Sequence, residues 1–200
     1  MKNPVLLIHG FFRKKSIFNK IYTYLTSLGW EVHRIDLSPG NATVGLDKLA
    51  LQVADYIDRV FPASQPIDLV GLSMGGLVTR YYVQKLGGVK KVERFITISA
   101  PHKGTYLAYS LPIPGCKQMQ PESNFLQELN RDVEILKQLN FTSLWTPYDF
   151  IIIPPESSQL GIGKEVKLSV FSHAMMVRDS SSLEAIREAL CEPVIHQAKY

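Results

Sequence analysis

The chain has 200 residues, of which 46% are hydrophobic and 20% are charged, and 22 Lys+Arg against 18 Asp+Glu give a net charge of +4. These values exclude a disordered tail, a collagen-like fibre and a coiled coil. The length predicts one domain spanning residues 1–200, or at most two very small ones. The mild positive excess is compatible with peripheral contact to an anionic membrane surface, but it is too dispersed to indicate nucleic-acid binding.

The predicted elements of the first half alternate strands and helices. Pro4–Ile8 is an apolar run typical of a buried strand, and the spacing of Ile17, Ile21, Leu25 and Leu28 predicts a helix that Gly29 ends as a C-cap. Further predicted segments are strands at 31–37, 67–70 and 94–98, a helix over 46–60, and a helix from just after Ser73 to the pair Gly87-Gly88.

The second half begins with an irregular, proline-rich stretch over about 101–122, which we interpret as cap-like. Ser123 is expected to cap a helix carrying Leu126, Leu129, Val133 and Leu136. Strands are predicted at 141–145 and at 165–171, where apolar residues alternate, and Ser181 with Glu184 forms a capping box for the last helix. Strands separated by helices predict an α/β fold with a parallel sheet and helices on both faces.

Two features bear on the cellular compartment. Cys116 and Cys191 form neither a disulfide framework nor a C-x-x-C pair, so we expect two free thiols, with a single bridge left open. The apolar run 5–8 is too short for a signal peptide or a membrane span. Unless a leader has been removed, we expect a cytoplasmic protein, at most peripheral to a membrane.

The sequence Gly71-Leu72-Ser73-Met74-Gly75 is a G-x-S-x-G motif. A predicted strand enters it and a predicted helix leaves it, which is the context of a nucleophile elbow. The tight turn requires small flanking residues and presents the serine at a helix N-terminus, where an oxyanion is favoured. The alternative is an ordinary glycine-rich turn before a helix.

A serine nucleophile needs a base. In folds that carry a nucleophile elbow, the chain order is serine, then acid, then histidine. His102 lies too close behind Ser73 to leave room for an acid, and His196 lies in the C-terminal tail. His173 follows the predicted strand 165–171 and precedes the last helix, so we select it as the base. Asp149 follows the strand 141–145 and is the candidate acid, with Glu156 as its rival.

An oxyanion needs backbone N–H donors. Met74 follows the nucleophile, and Phe11 lies in the loop after the first strand, so their amides are the candidate donors. His9 in the same loop is interpreted as a structural residue rather than a base.

Three segments carry a resemblance to a known family: Pro4 to Phe11 (PVLLIHGF), Asp68 to Leu77 (DLVGLSMGGL) and Thr97 to Thr105 (TISAPHKGT). With them the chain resembles the lipase/esterase branch of the α/β-hydrolases, especially the small, nearly lidless Bacillus-type triacylglycerol lipases. The resemblance implies a three-layer α/β-hydrolase fold with about six mostly parallel strands, no cofactor, and carboxylester hydrolysis by Ser73, Asp149 and His173. Those lipases are secreted, whereas this chain shows no leader, so a role on membrane glycerolipids is expected.

The substrate site is less defined by the sequence. Phe12, Tyr106, Leu107 and Tyr109 are the candidate substrate-binding residues. With Leu111 and Ile113, the residues after Pro101 either line an acyl-binding surface, form a small lid, or only cover a sheet edge.

No metal or dinucleotide motif is present. The expected function is hydrolysis of the acyl esters of glycerolipids through an acyl-enzyme on Ser73. Two alternatives stay open: acyl transfer or short-chain ester hydrolysis by the same triad, and ligand binding without catalysis.

Overall fold

The computed structural model describes residues 2–195, and its centre is one six-stranded sheet in which all neighbouring strands are parallel. The strand order is β2-β1-β3-β4-β5-β6. The strands are Val5–Ile8 (β1), Val32–Ile35 (β2), Ile67–Leu72 (β3), Val92–Ile98 (β4), Asn140–Trp145 (β5) and Lys164–Lys167 (β6). The predicted α/β class and parallel sheet are confirmed.

Helices connect the strands. They are Asn19–Ser27 (α1), Leu46–Val60 (α2), Met74–Lys85 (α3), Pro114–Met119 (α4), Asn124–Arg131 (α5) and Ser180–Cys191 (α6). Short 3-10 segments include Lys15–Phe18, Tyr106–Ser110, Val133–Gln138 and His173–Val177. Among residues 2–195, no helix is long and apolar enough to cross a membrane.

The sheet separates two apolar clusters. Successive side chains of β1 point alternately into one cluster and into the other. Leu6 and Ile8 pack into the cluster that contains the buried faces of α2, α3 and α5. Val5 and Leu7 pack into the other, with α1 and α6. All four side chains are fully buried. The run is therefore apolar throughout because helices cover both faces of a parallel strand.

Two predicted helix caps are confirmed. Gly29 has a positive φ of 83° after α1, a conformation that glycine adopts without steric cost. The Ser123 side chain accepts a hydrogen bond from the N–H of Leu126 in the first turn of α5. The helix after this cap ends at Arg131, and the apolar positions Val133 and Leu136 belong to the 3-10 segment that follows.

Two predictions about the last elements are wrong. The predicted strand 165–171 ends at Lys167, because its only neighbour β5 ends at Trp145 and the chain then turns away. The predicted capping box does not form either. Asp179 caps α6 by accepting from the N–H of Ser181, and Glu184 instead contacts Tyr24 and Arg187.

The stretch 101–122, expected to be irregular, contains the 3-10 segment Tyr106–Ser110 and helix α4. Cys116 and Met119 are buried, and they pack α4 into the apolar cluster that contains the buried faces of α2, α3 and α5. Cys116 and the exposed Cys191 are both free, as predicted.

Candidate active site

The candidate site lies where the strand order reverses. After β1 the chain crosses to β2 on one side, and from there to β3 on the other side of β1. The carboxyl ends of β1 and β3 are therefore adjacent, and the loops that follow them diverge to leave a crevice. Gly10 and Phe11 follow β1, and Ser73 follows β3. The reversal brings these two sequence motifs together.

Ser73 lies in the tight turn predicted between β3 and α3. Its φ is 55°, which is uncommon for a residue other than glycine, and it is the N-cap of α3. A Cβ at Gly75 would lie 2.5 Å from the carbonyl oxygen of His9, and one at Gly76 would lie 2.5 Å from the Ala100 Cβ. The glycines are needed because backbone and side chains from β1 and β4 approach the turn this closely.

Asp149 and His173, chosen from their order in the chain, are in contact. The His173 Nδ1 lies 2.7 Å from the Asp149 Oδ2. The other carboxylate oxygen, Oδ1, accepts hydrogen bonds of 2.9 Å from the N–H groups of Ile151 and Ile152. Asp149 is buried, so these bonds fix the carboxylate and, through it, the imidazole ring.

The charge on Asp149 is favoured by its partners. Burial by itself raises the pKa of this carboxyl, but the hydrogen bond and charge of His173 and the two backbone N–H groups outweigh it. The pKa of Asp149 is therefore lower than usual. An ionised Asp149 that accepts from Nδ1 leaves the Nε2 of His173 free to take a proton.

The two candidate oxyanion donors have no protein acceptor within residues 2–195. The N–H of Phe11 makes no hydrogen bond there, and the N–H of Met74 begins a helix, where backbone donors lack intrahelical partners. His9 supports the first of these loops. Its Nε2 accepts from the N–H of Leu37 at 2.9 Å, and its Nδ1 lies 2.9 Å from the Gly10 oxygen.

The rival residues lie elsewhere. His102 is fully buried with its Nε2 3.0 Å from the Thr97 hydroxyl, and burial, with the charges of Arg80 and Lys103, holds its pKa well below the usual value. Glu156 is exposed in the 3-10 segment 155–158 and has no described contact with His173. His196 lies outside the described residues.

Two cavities open beside Ser73. The nucleophile cleft, of about 320 Å³, is lined by Gly10, Phe11, Phe12, Arg13, Ile17, Leu72, Ser73, Leu107, Ile151, His173 and Ala174. The apolar cavity, of about 160 Å³, is lined by Phe11, Ser73, Pro101, Thr105, Leu107, Ala108, Ser110, Leu111, Cys116, Met119, Ile151 and Ile152. Ser73 lines both cavities.

The structure separates the four candidate substrate-binding residues. Phe12 and Leu107 line the nucleophile cleft, whereas Tyr106 and Tyr109 line neither cavity and stack on each other with ring centroids 6.5 Å apart.

Sequence reasoning missed Ile151, which lines both cavities and donates to Asp149. An aspartate that accepts from the N–H two residues later is a common local turn, and this signal could have identified the contact.

No group of three or more His, Cys, Asp or Glu side chains that could hold a metal ion is present between residues 2 and 195.

Comparison with known proteins identifies the family. The family model described as palmitoyl protein thioesterase matches residues 4–128, which include both oxyanion candidates and the G-x-S-x-G motif. The chain belongs to the palmitoyl protein thioesterase family. Asp149 and His173 lie beyond the matched residues, so their selection as candidates depends on the geometry described above and not on the family match.

Solved structures show the fold shared by this palmitoyl protein thioesterase family member. The mature form of a Bacillus licheniformis lipase matches with a TM-score of 0.78 at 16% identity, over 97% of this chain and 93% of that one. An Aspergillus fumigatus lipase matches with a TM-score of 0.80 at 17% identity, over 96% of this chain and 53% of that one. The fold is thus the α/β-hydrolase fold of lipases, and no lid domain is evident among the described residues.

Proposed function

We propose that this protein is a serine hydrolase that cleaves acyl esters, with glycerolipid esters as its substrates, through an acyl-enzyme on Ser73. The observation that carries the proposal is the 2.7 Å contact between His173 and a buried Asp149, with His173 and Ser73 lining one cleft. A serine, an oriented imidazole and unpaired backbone donors are what acyl transfer requires.

The proposed reaction has two stages. The Ser73 Oγ attacks the ester carbonyl carbon while its proton passes to the Nε2 of His173, and the N–H groups of Phe11 and Met74 bind the resulting oxyanion. When the tetrahedral intermediate collapses, the bond to the alcohol breaks and His173 returns the proton to the leaving oxygen. Water, activated by the same imidazole, then hydrolyses the acyl-enzyme.

The shape of the site supports an acyl substrate. The apolar cavity is lined mainly by apolar side chains, and apart from Ser73 itself only Thr105 and Ser110 in its lining carry a hydroxyl. Burying a methylene there is favourable by about 0.8 kcal/mol. We infer that this cavity takes the acyl chain and that the nucleophile cleft takes the alcohol side.

A thioester is a second candidate substrate, favoured by the family match over residues 4–128. The same nucleophile, base and oxyanion donors would serve, because only the leaving atom changes from oxygen to sulfur.

The test is hydrolysis of p-nitrophenyl esters with short and long acyl chains, a glycerolipid emulsion and an S-palmitoyl thioester by the protein and its Ser73→Ala variant. Loss of the nucleophile is expected to lower kcat by at least about a thousandfold. Ser64→Ala, at an exposed serine that lines neither of the two cavities beside Ser73, is the matched control. Activity of Ser73→Ala within tenfold of the parent protein would refute the mechanism, and preference for the thioester over every oxyester would replace the proposed substrate class.

A further inference from the structure

Exposed apolar side chains are concentrated around the candidate active site. Of the fifteen large hydrophobic residues exposed among residues 2–195, eleven lie in four segments at the carboxyl edge of the sheet: 11–13, 106–111, 148–153 and 171–175. We call these eleven side chains the apolar rim. The most exposed are Phe171 at 78%, Phe150 at 76% and Phe12 at 66%. Scattered surface apolar residues need no explanation, but a concentration of this kind marks an interaction surface.

The rim is continuous because its segments contact one another. The Tyr148 and Phe171 rings stack with centroids 5.1 Å apart. The N–H of Tyr106 donates to the Ile153 oxygen at 2.9 Å. Leu107 and Phe12 both line the nucleophile cleft. The rim therefore surrounds the mouth through which a substrate reaches Ser73.

Positive charge accompanies the rim. The run 1–30 contains Arg13, Lys14 and Lys15 and no aspartate or glutamate, and all three cations are exposed beside Phe12. The run 94–121, which supplies the second rim segment, also lacks acidic residues. In the third segment Asp149 is buried against His173, and Glu156 lies just beyond it as an exposed acid. Lys15 has Asp36 at 4.0 Å, whereas Lys14 has no ion-pair partner among residues 2–195.

We propose that the apolar rim, with residues 13–15 beside it, docks on a bilayer that contains anionic phospholipid. The docking would give the enzyme access to lipid substrates, and in this respect the inference rests on the proposed function. Apolar rings entering the interface and cations at headgroup level are how peripheral proteins bind such membranes. A lipid layer supplies both the anionic headgroups that complement residues 13–15 and the acyl chains that the cleft would receive. In this arrangement the mouth of the site opens directly onto the lipid.

The test measures co-sedimentation of the Ser73→Ala protein, which leaves vesicle lipids intact, with vesicles of phosphatidylcholine alone or mixed with phosphatidylglycerol. Strong binding is expected only to the mixed vesicles, and it should weaken as salt is raised. Lys14→Glu should lower the vesicle partition coefficient by about fivefold or more. The double change Phe150→Ser and Phe171→Ser should lower it by at least about tenfold.

Matched controls lie away from the rim. Leu51 is 44% exposed on α2, and Lys90 is exposed in the turn before β4, at the opposite edge of the sheet. Leu51→Ser and Lys90→Glu should leave the partition coefficient within twofold of the parent value. With Ser73 present, the rim variants should hydrolyse p-nitrophenyl acetate normally, since Phe150 and Phe171 line neither cavity.

The outcomes separate the two proposals. Equal binding to neutral and mixed vesicles, no binding at all, or rim variants that bind like the controls would overturn the docking proposal. Selective capture of an acidic protein in place of vesicles would overturn it too. If Ser73→Ala binds mixed vesicles as expected while the parent protein hydrolyses no ester, docking stands and the proposed function fails.

Discussion

At the scale of single residues, the proposed mechanism depends on the contact between Asp149 and His173. One carboxylate oxygen contacts the imidazole and the other is held by two backbone N–H groups. An amide at this position could keep the shape of the side chain, but it would remove the charge that stabilises a protonated imidazole and could favour the wrong tautomer. The carboxylate is therefore expected to matter for turnover more than for folding.

We predict that Asp149→Asn lowers kcat for a p-nitrophenyl ester by about 10³- to 10⁴-fold. The free energy of unfolding, measured by urea denaturation, should change far less than the activation free energy. Glu156→Gln, which changes the rival acid, should retain activity within twofold. An active Asp149→Asn with an inactive Glu156→Gln would reverse the assignment of the acid.

The catalytic candidates were accessible from the sequence because each follows a strand that the apolar pattern predicts, although β6 ends earlier than predicted. Residues that line the cavities were not. Cys116 and Met119 reach the apolar cavity because α4 packs onto the cluster on one face of the sheet, and no local pattern encodes that long-range contact. The exposed pair Tyr106 and Tyr109 shows the converse, since aromatic composition alone does not specify which way a ring points.

At the scale of elements, the strand–turn–helix around Ser73 depends on close backbone approach. A Cβ added at Gly75 would meet the carbonyl oxygens of both Ile8 and His9, which are backbone atoms of β1 and its loop. Neither can move without disturbing the sheet or the proposed oxyanion donors.

We predict that Gly75→Ala destabilises the protein by at least about 3 kcal/mol, at the upper end of overpacking costs, or prevents folding. Gly87→Ala is the control for backbone strain alone, because Gly87 has a φ of 80° but nothing within 4 Å of the added Cβ. That change should cost about 1 kcal/mol. Urea denaturation compares the two, and equal losses would show that the close approach is not what requires glycine at position 75.

Element boundaries show where sequence patterns stop being informative. Apolar alternation continues past the end of β6, since Val166, Leu168 and Val170 all pack against the cluster below α6. Hydrogen bonding stops first, because a strand at the edge needs its neighbour and β5 ends at Trp145. The pattern thus reports burial, whereas strand assignment requires a pairing partner that a single segment does not reveal.

At the scale of the whole molecule, Asp68 ties together parts distant in sequence at the amino edge of the sheet. Its Oδ1 accepts from the Asn3 side chain at 3.0 Å, and its Oδ2 lies 3.2 Å from the Arg94 Nη1. Arg94 in turn donates from Nε to the Glu192 oxygen at 2.9 Å, just after α6. One buried carboxyl therefore links the start of the chain, β3, β4 and the end of the last helix.

The protonation of this carboxyl should make stability depend on pH. Burial raises the pKa of Asp68 from 3.8 to about 6, even though Asn3 and Arg94 oppose the shift. Between pH 3.8 and about pH 6, Asp68 therefore keeps its proton in the folded state and has lost it in the unfolded state. Stability contributed by Asp68 is therefore present at low pH and is lost as pH rises through about 6.

Each unit of pKa corresponds to about 1.4 kcal/mol, so the loss between about pH 4 and pH 7 approaches about 3 kcal/mol. Asp68→Asn has no carboxyl to titrate at this position. We predict that, as pH rises from 4 to 7, its free energy of unfolding increases relative to that of the parent protein by about 3 kcal/mol. Urea denaturation of both proteins at the two pH values measures the difference, and the exposed Asp55→Asn controls for loss of a charge. If the stability difference between the parent and Asp68→Asn stays constant from pH 4 to pH 7, the prediction is wrong. The links to Asn3 and Arg94 would then keep Asp68 ionised over the whole interval, and the network would act as a permanent ion pair.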